Sequence, residues 1–198
     1  MDDHLERTRA FFAPRAVGWD AHFPDDEPVY AAAAAELLAR PARVVVDLGC
    51  GTGRALNALR QSAGAGATVI GVDVTPEMLR AAAASGRRET GELLLADVDA
   101  LPLRAASVDA FFAAGILGHV PDPARLLQTL ASFARPRARL AVFQPIGRAA
   151  LAARHQRTLQ PHELLDPSVL PGVLAGAGWT IETLDDGESR YLAIAGRA

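Results

Sequence analysis

Residues 44–54 read VVVDLGCGTGR and carry the strongest structural signal in the chain. The apolar, β-branched start is typical of a buried strand. Three alternating glycines follow, at Gly49, Gly51 and Gly53, and a helical run begins at Ala55. Glycine permits a left-handed backbone and lets a ligand approach the main chain, while a helix start offers free N–H groups to an anion. The segment therefore predicts a strand, a glycine turn and a helix that together form a nucleotide-type pocket.

Two common nucleotide-binding fingerprints do not fit this glycine turn. The dinucleotide pattern G-x-G-x-x-G, started at Gly49, requires glycine at position 54, where the chain has Arg54. The phosphate-binding pattern G-x-x-x-x-G-K-[ST] requires a lysine, and all 20 Lys or Arg positions of this chain are arginine. What remains is an acidic residue, Asp47, followed by G-x-G-x-G.

Two further acidic residues stand at the ends of later apolar runs. Residues 68–73 end in Asp73, which lies 20 residues after Gly53, and residues 93–97 end in Asp97. In dinucleotide folds an acid about 20 residues on, at the end of the second strand, binds a ribose hydroxyl. A carboxylate has two acceptor oxygens and therefore suits a vicinal diol. Asp73 is thus a candidate ribose-binding residue.

Residues 47–53, DLGCGTG, resemble motif I of the class I S-adenosylmethionine (SAM) dependent methyltransferases, in which D-x-G-C-G-T-G is a very common form. A fourth apolar run, residues 108–115, leads into residues 116–123, ILGHVPDP. Many small-molecule methyltransferases have a similar L-H-H-V-P-D-P segment after the fourth strand, and Gly118 here replaces the first histidine. The resemblance covers roughly residues 40–145 with clear motifs.

The resemblance implies SAM as the cofactor and S-adenosylhomocysteine as its product. It assigns both ribose hydroxyls to Asp73, the adenine amine to Asp97 and an adenine ring nitrogen to the backbone N–H of Val98. The full set of cofactor-binding residues that it implies is Asp47, Gly49, Cys50, Gly51, Gly53, Asp73, Val74, Asp97, Val98 and Ala114.

The order of the apolar runs predicts one domain over 1–198, with a helical cover over 1–40 and a core over 41–198. Strands that alternate with helices indicate a mainly parallel sheet with helices on both faces. The resemblance implies a Rossmann-like, doubly wound α/β fold with seven strands in the order 3-2-1-4-5-7-6, the last one antiparallel. The predicted strands are 43–47, 68–73, 92–96, 108–114, 139–144, 179–184 and 190–195. The predicted helices are 4–16, 28–40, 54–62, 76–85, 123–134 and 167–176.

Local signals predict caps and turns. Thr75 and Asp122 each precede a proline and are predicted to cap the helix that follows. Residues 135–139, RPRAR, are predicted to be a solvated turn before the fifth strand. Family members often have Pro-Gly-Gly at this point, so position 137 requires a different turn or a less favoured backbone conformation. Residues 185–187, DDG, are predicted to turn the last hairpin.

Composition narrows the class of protein. Half of the residues are apolar and 22% are charged, which is ordinary for a soluble domain, and a net charge of −3 argues against general nucleic-acid binding. No apolar run approaches the ~20 residues of a membrane helix, and no apolar signal core follows the acidic start. The single cysteine, Cys50, can form no internal disulfide. These features predict a cytoplasmic monomer or homodimer with no membrane or nucleic-acid partner.

The histidines supply the candidates for substrate chemistry. Methyl transfer needs a general base only when the nucleophile binds with a proton of high pKa. His119 follows the fourth strand, at the sheet edge where ligands bind in open α/β folds, and is the candidate base or hydrogen-bond donor. A loop histidine that packs or caps is the alternative. His155 and His162 lie after the fifth strand, in a connection that often covers the substrate, and are likewise site or structural residues.

Two other chemistries are not expected. No pair of histidines has metal-ligand spacing on one helix and no cysteine pair exists, so the sequence predicts no metal site. Cys50 lies inside motif I and is not expected to act as a nucleophile.

Aromatic residues cluster ahead of the predicted core. In this family an N-terminal helical segment often closes over the cofactor and the substrate. One hypothesis is a hydrophobic lid that excludes water, and the other is an extra helix packed on the sheet. The residues concerned are Phe11, Phe12, Trp19, Phe23 and Tyr30.

Absent motifs narrow the methyl acceptor. Adenine-N6 and similar amino methyltransferases carry an Asn/Asp-Pro-Pro-Tyr/Phe segment after the fourth strand, where this chain has AGIL at 114–117. Cytosine-C5 enzymes need a catalytic cysteine after that strand, and none is present. The prediction is therefore methyl transfer to a small-molecule acceptor by in-line displacement. The chain lacks the paired-acid signature of aminopropyl transferases. A non-catalytic SAM-binding or interaction module is the alternative that stays open.

Overall fold

The computed structural model describes residues 3–23 and 25–197, so positions 1, 2, 24 and 198 of the predicted domain lie outside the described residues. The strands are β1 (Val44–Leu48), β2 (Thr68–Asp73), β3 (Glu92–Leu95), β4 (Val108–Ala114), β5 (Ala134–Gln144), β6 (Trp179–Asp186) and β7 (Tyr191–Arg197). They form one sheet in the order β3-β2-β1-β4-β5-β7-β6. β7 is antiparallel to β5 and β6, and the other pairs are parallel. The predicted fold class and strand order are confirmed.

Helices cover both faces of the sheet. They are α1 (Asp3–Phe12), α2 (Glu27–Leu37), α3 (Leu56–Ala63), α4 (Pro76–Ala84), α5 (Pro123–Phe133), α6 (Arg148–Arg154) and α7 (Leu170–Gly176). The alternation of side chains along β4 shows the two layers, because neighbouring strand residues point to opposite faces. Phe111 packs on the face covered by α5 and α7, whereas Phe112 packs with α2 and α3 on the other face.

The topology places a ligand crevice at one edge of the sheet. β1 lies between β2 and β4, and the chain leaves this point in opposite directions across the sheet. Because β1 to β5 are parallel, their carboxyl ends meet at the same edge. In open α/β sheets ligands bind outside these ends, where the strand order reverses.

The start of β5 differs from the prediction of a solvated turn over 135–139. β5 begins at Ala134, and its pairing with β4 shifts between Val108 and Ala110, so the basic stretch forms an irregular part of the strand. Arg135 forms an ion pair with Asp109 at 2.9 Å. Arg137 has φ +67°, the less favoured left-handed conformation that the missing glycine implies.

Replacing Arg137 with glycine is expected to stabilise the fold. A left-handed backbone costs an L-residue roughly 1–2 kcal/mol, and the greater flexibility of glycine offsets about half of that, so we expect a net gain of about 0.5–1 kcal/mol. Urea unfolding measures the change. Arg137→Ala is the matched control, because it removes the same charge and keeps a Cβ; an equal gain in that variant would assign the effect to charge instead of backbone conformation.

Both predicted caps stand at the N-cap position with proline opening the helix, but only one of them makes a side-chain cap hydrogen bond. Asp122 accepts a hydrogen bond from the N–H of Arg125 at 3.0 Å and caps α5. Thr75 makes no side-chain cap on α4. Its backbone N–H instead donates to Oδ1 of Asp73 at 2.7 Å.

Several element boundaries also differ from the predictions. α1 ends at Phe12, short of the predicted 16, because Pro14 cannot continue an α-helix and the chain turns into a 3₁₀ segment over 13–15. The last hairpin does not turn at 185–187, since β6 continues to Asp186 and the connection is 187–190. α6 was not predicted at all.

Candidate functional site

A large cavity opens at the carboxyl edge of the parallel strands. Its volume is about 890 Å³, toward the upper end of the ~300–1,000 Å³ typical of small-molecule pockets. The ends of β1 to β4 form one wall, which we call the strand side. The opposite wall, which we call the helix side, is formed by α1, residues 13–23, α6 and residues 155–165.

The glycine turn after β1 lies on the strand side in a left-handed conformation. Gly49, Gly51 and Gly53 have φ of +64°, +55° and +78°. A Cβ at Gly49 would lie 2.7 Å from Ile116 Cδ1, and one at Gly53 would lie 2.9 Å from Leu56 Cδ1. A Cβ at Gly51 would meet no atom within 4 Å. Packing therefore requires glycine at positions 49 and 53, whereas Gly51 leaves bare backbone in the cavity wall.

Asp73 is held at the end of β2 by main-chain hydrogen bonds. Its Oδ2 accepts from the N–H of Gly51 at 2.8 Å, and its Oδ1 accepts from the N–H of Thr75 at 2.7 Å. Burial raises the pKa of Asp73, and these hydrogen bonds oppose the rise. The carboxylate is thus fixed beside the glycine turn, with lone pairs left for a ligand.

Asp47, at the end of β1, is the least compensated acid of the site. It is 1% exposed, and no described residue forms a hydrogen bond with its Oδ2. Burial, and secondly the charge of Asp73, raise the pKa of Asp47 well above its ordinary value. A buried carboxylate without a partner is costly, so this wall of the cavity favours a ligand that brings positive charge.

The remaining residues of the predicted cofactor set also line the cavity. Asp97 is half-buried and its Oδ1 accepts from the N–H of Asp99 at 3.0 Å, while Val98 is buried next to it. Val74 and Ala114 lie in the same wall. Gly53 is the exception, since it does not line the cavity in the part of the chain that the structure describes. It allows the turn to pack closely against Leu56.

Cys50 is placed as a packing residue. A Cβ at Gly71 would lie 2.9 Å from its Sγ, so the thiol lies closely over the backbone of β2. Burial raises the pKa of Cys50 well above its ordinary value, which keeps the thiol protonated at neutral pH. Residues 3–23 and 25–197 contain no group of three or more His, Cys, Asp or Glu side chains that could hold a metal ion.

The histidines divide between the cavity and the surface. His119 and His155 both line the cavity, whereas His162 lies outside the wall formed by the described residues. His4 also lines the cavity, and its Nε2 lies 2.8 Å from the carbonyl oxygen of His119. Desolvation, and secondly the nearby His4 and His155, lower the pKa of His119. His119 is therefore neutral at pH 7 and able to accept a proton.

The N-terminal aromatics divide between the face of the sheet and the wall of the cavity. Tyr30 packs on the sheet, with its ring 5.1 Å from that of Phe143. Phe12, Trp19 and Phe23 form a row in the cavity wall, with ring centroids 5.8 and 5.2 Å apart along the row. α2 is thus the packed helix, and the segment before it covers the cavity.

Polar contacts hold this cover to the glycine turn. The hydroxyl of Thr52 donates to Asp20 at 2.6 Å, and Arg87 forms an ion pair with the same carboxylate at 2.7 Å. Arg54 forms an ion pair with Asp26 just before α2. The cover is therefore attached to the residues that shape the strand side of the cavity.

Sequence reasoning missed the contribution of α6. Arg148, Leu151 and Arg154 of this helix all line the cavity on the helix side. Arg148 is only 6% exposed and lies between Asp166 and Asp186, with N–O distances of 3.5 and 3.2 Å. The only signal in the sequence is a pair of arginines, Arg148 and Arg154, in an alanine-rich run, and this pattern does not reveal that Arg148 is buried.

Comparison with known proteins identifies the family. A family model described as a methyltransferase domain matches residues 46–142, from β1 into β5. Residues 46–142 thus form a methyltransferase domain of the class I SAM-dependent family. The matched span contains the glycine turn and the acids at the ends of β1, β2 and β3.

Relatives of this methyltransferase-family chain include two curated proteins. Trans-aconitate 2-methyltransferase of Azoarcus sp. is 41% identical over 117 residues, which are 57% of this chain and 45% of that protein. Arsenite methyltransferase of Halobacterium salinarum is 31% identical over 150 residues, which are 74% of this chain and 35% of that protein. The chain thus spans less than half of the length of these relatives.

A solved methyltransferase has the same fold over nearly the whole length. Magnesium protoporphyrin IX methyltransferase of Synechocystis, crystallised with bound S-adenosylhomocysteine, has a TM-score of 0.75 and 19% identity, and the match covers 99% of this chain and 100% of that one. At this identity the likeness shows the fold alone. Within residues 3–23 and 25–197, no helix is long and apolar enough to span a bilayer.

Proposed function

We propose that this domain binds SAM on the strand side of the cavity and transfers its methyl group to a small molecule on the helix side. The observation that carries the proposal is the placement of Asp73, whose carboxylate is fixed by the N–H groups of Gly51 and Thr75 in the cavity wall. A fixed pair of acceptor oxygens next to bare glycine backbone suits a ribose diol joined to an amino-acid chain. Asp97 and Val98 lie on the same side and suit an adenine edge.

The uncompensated charge of Asp47 gives a second reason to favour this ligand. SAM carries an ammonium group and a sulfonium group, and its binding would bring positive charge to a wall where Oδ2 of the buried Asp47 has no hydrogen-bond partner among the described residues. A nicotinamide dinucleotide would instead bring two phosphates toward Asp47 and Asp73. The charge of the site therefore favours SAM over a dinucleotide.

The chain's own residues have two tasks in this proposal. When bound, SAM supplies a methyl group that its sulfonium already activates for transfer. The strand side orients that group, and the row Phe12, Trp19 and Phe23 excludes water from the space where the acceptor lies. The contacts of Thr52 and Arg54 with the cover connect the residues that orient SAM to the aromatic row that excludes water.

An organic small molecule is the acceptor that fits best. The relatives named above act on trans-aconitate and on arsenite. Arsenite is a soft, thiol-seeking group, and the one cysteine of this chain, Cys50, has its Sγ packed over Gly71. The apolar row on the helix side instead offers a surface for carbon skeletons.

His119 is proposed as the base that takes a proton from the acceptor. Because its pKa is lowered from the ordinary value, it is neutral at pH 7, and protonation removes the base as the pH falls through this pKa. We expect kcat/KM to be level near neutral pH and to fall about tenfold per pH unit below the pKa of His119. Rates from pH 5 to 8 for the wild type and His119→Gln measure this. Profiles of the same shape would assign His119 to packing.

Calorimetric titration with SAM and, separately, with NAD tests the cofactor directly. We expect SAM to bind with a Kd of about 1–100 μM and NAD to give no heat of binding. Incubation with methyl-labelled SAM and an acceptor panel then tests turnover. SAM binding without transfer to any acceptor would favour the non-catalytic module, and absence of SAM binding would contradict the proposal.

A further inference from the structure

The charged side chains of the two cavity walls are mainly of opposite sign, although Arg54 lies beside the glycine turn and Glu163 lies on the helix side. The strand side contributes the acids at the ends of β1, β2 and β3, which are Asp47, Asp73, Asp97 and Asp99. The helix side contributes basic side chains from α6 and the residues after it, which are Arg148, Arg154, His155 and Arg157. The helix side therefore favours a negatively charged group, whereas the strand side favours a positively charged one.

Most of the arginines in the wall are neutralised by neighbouring acids. Arg148 lies between Asp166 and Asp186, and Arg157 forms an ion pair with Glu163 at 2.7 Å. Arg154 is the exception, since it forms no ion pair with any residue in 3–23 or 25–197. One full positive charge on the helix side is thus left without a carboxylate partner.

Arg154 lies where α6 meets the cover. One of its Nη groups donates to the carbonyl oxygen of His22 at 3.3 Å, and its guanidinium carbon lies 5.3 Å from the centroid of the Phe23 ring. Most of its five N–H donors therefore remain available. Leu151, one turn earlier on α6, and Leu159 give the wall next to it an apolar surface.

We propose that the methyl acceptor carries a carboxylate and that Arg154 binds it. The inference rests on the proposed function and names the class of its acceptor: an organic acid with an apolar body. A guanidinium binds carboxylates and phosphates in the same bidentate way. A single arginine without a carboxylate partner among the described residues favours the singly charged carboxylate, because the second charge of a phosphate would have no partner. Arg154 acts by binding the acceptor and takes no part in the proton transfer.

The nearby histidines agree with this assignment. His119 and His155 both line the cavity with Arg154 and lie close to each other. Glu163, the acid of the helix side among the described lining residues, forms an ion pair with Arg157. An anionic group at Arg154 would therefore meet no unpaired acid on the described part of the helix side.

Competition between matched ligands tests the proposal. Protein saturated with S-adenosylhomocysteine is titrated calorimetrically with 3,4-dihydroxybenzoate, its neutral amide and phenyl phosphate, and with short aliphatic monocarboxylates. We expect the acid to bind at least about tenfold more tightly than the amide, since a hydrogen-bonded charge pair is lost in the amide. Arg154→Gln should abolish this preference, and Arg154→Lys should keep part of it.

Arg157→Gln is the matched control, because Arg157 also lines the cavity and is already paired with Glu163. It should leave the preference for the acid unchanged. Equal binding of acid and amide, no binding of any carboxylate, tighter binding of phenyl phosphate, or equal effects of the two glutamine variants would each overturn the proposal. Affinity for S-adenosylhomocysteine is measured first in every sample: its absence would contradict the proposed function itself, whereas its presence without a preference for acids overturns only the role of Arg154.

Discussion

Replacement of Asp73 by alanine should weaken SAM binding by about 100- to 10,000-fold, since each of two hydrogen bonds to a charged group is worth about 1.5–3 kcal/mol. In this proposal the carboxylate binds both ribose hydroxyls, and alanine removes both bonds together. The variant also frees the N–H groups of Gly51 and Thr75, which Asp73 holds at 2.8 and 2.7 Å. The glycine turn therefore loses a constraint as well as a ligand contact. Calorimetric titration with SAM measures the loss.

Asp109→Ala is the control that separates ligand binding from folding. Asp109 on β4 also accepts two main-chain hydrogen bonds, from the N–H groups of Arg43 and Val44 at 2.9 Å each, but it does not line the cavity within the described residues. We expect this variant to lower the stability of the fold and to leave the SAM affinity of the folded protein unchanged. An unchanged affinity in Asp73→Ala, or an equal loss in Asp109→Ala, would show that Asp73 does not bind the ribose.

The parts of the site that could be predicted are those fixed by short-range sequence. Gly49, Gly51 and Gly53 stand within five residues, and each has the left-handed backbone that glycine permits. Asp47 and Asp73 terminate apolar strands, so parallel pairing alone brings them to one edge of the sheet. Periodicity and turn chemistry act over a few residues, and a single sequence contains both.

The helix side of the cavity could not be predicted because it is assembled from distant segments. His4 reaches the carbonyl oxygen of His119 across 115 positions, and Arg154 reaches that of His22 across 132 positions. No local pattern encodes such contacts. The alanine-rich α6 follows β5 without a capping side chain, so it also lacks an ordinary helix start signal.

The missing side-chain cap at Thr75 shows how a binding site can override local preference. A threonine before Pro76 is a good cap by its own chemistry. Here Thr75 stands at the N-cap position without a side-chain cap hydrogen bond, and its N–H donates to Asp73, the residue proposed to bind the ribose. Local rules fail most readily where a site needs the same groups for another purpose.

Replacement of Asp47 by asparagine should change stability and affinity in opposite directions. Asparagine has the same shape without a buried charge, so we expect the unfolding free energy of the unliganded protein at pH 7 to rise by about 1–3 kcal/mol. SAM affinity should fall by about 10- to 100-fold, because the ligand's positive charge loses its partner. Urea unfolding and calorimetric titration on the same samples measure the two changes.

The pH dependence distinguishes this account from a simple packing effect. The pKa of Asp47 is higher in the folded than in the unfolded chain, so the folded protein binds more protons, and stability falls as the pH rises above the unfolded value of about 3.9. The gain from asparagine should therefore be smaller at pH 5 than at pH 7. SAM binding should also release a proton from the wild type and none from Asp47→Asn, which titrations in buffers of different ionisation enthalpy detect. A stability gain that is independent of pH, with affinity unchanged, would mean that Asp47 supports the glycine turn without facing the charge of the ligand.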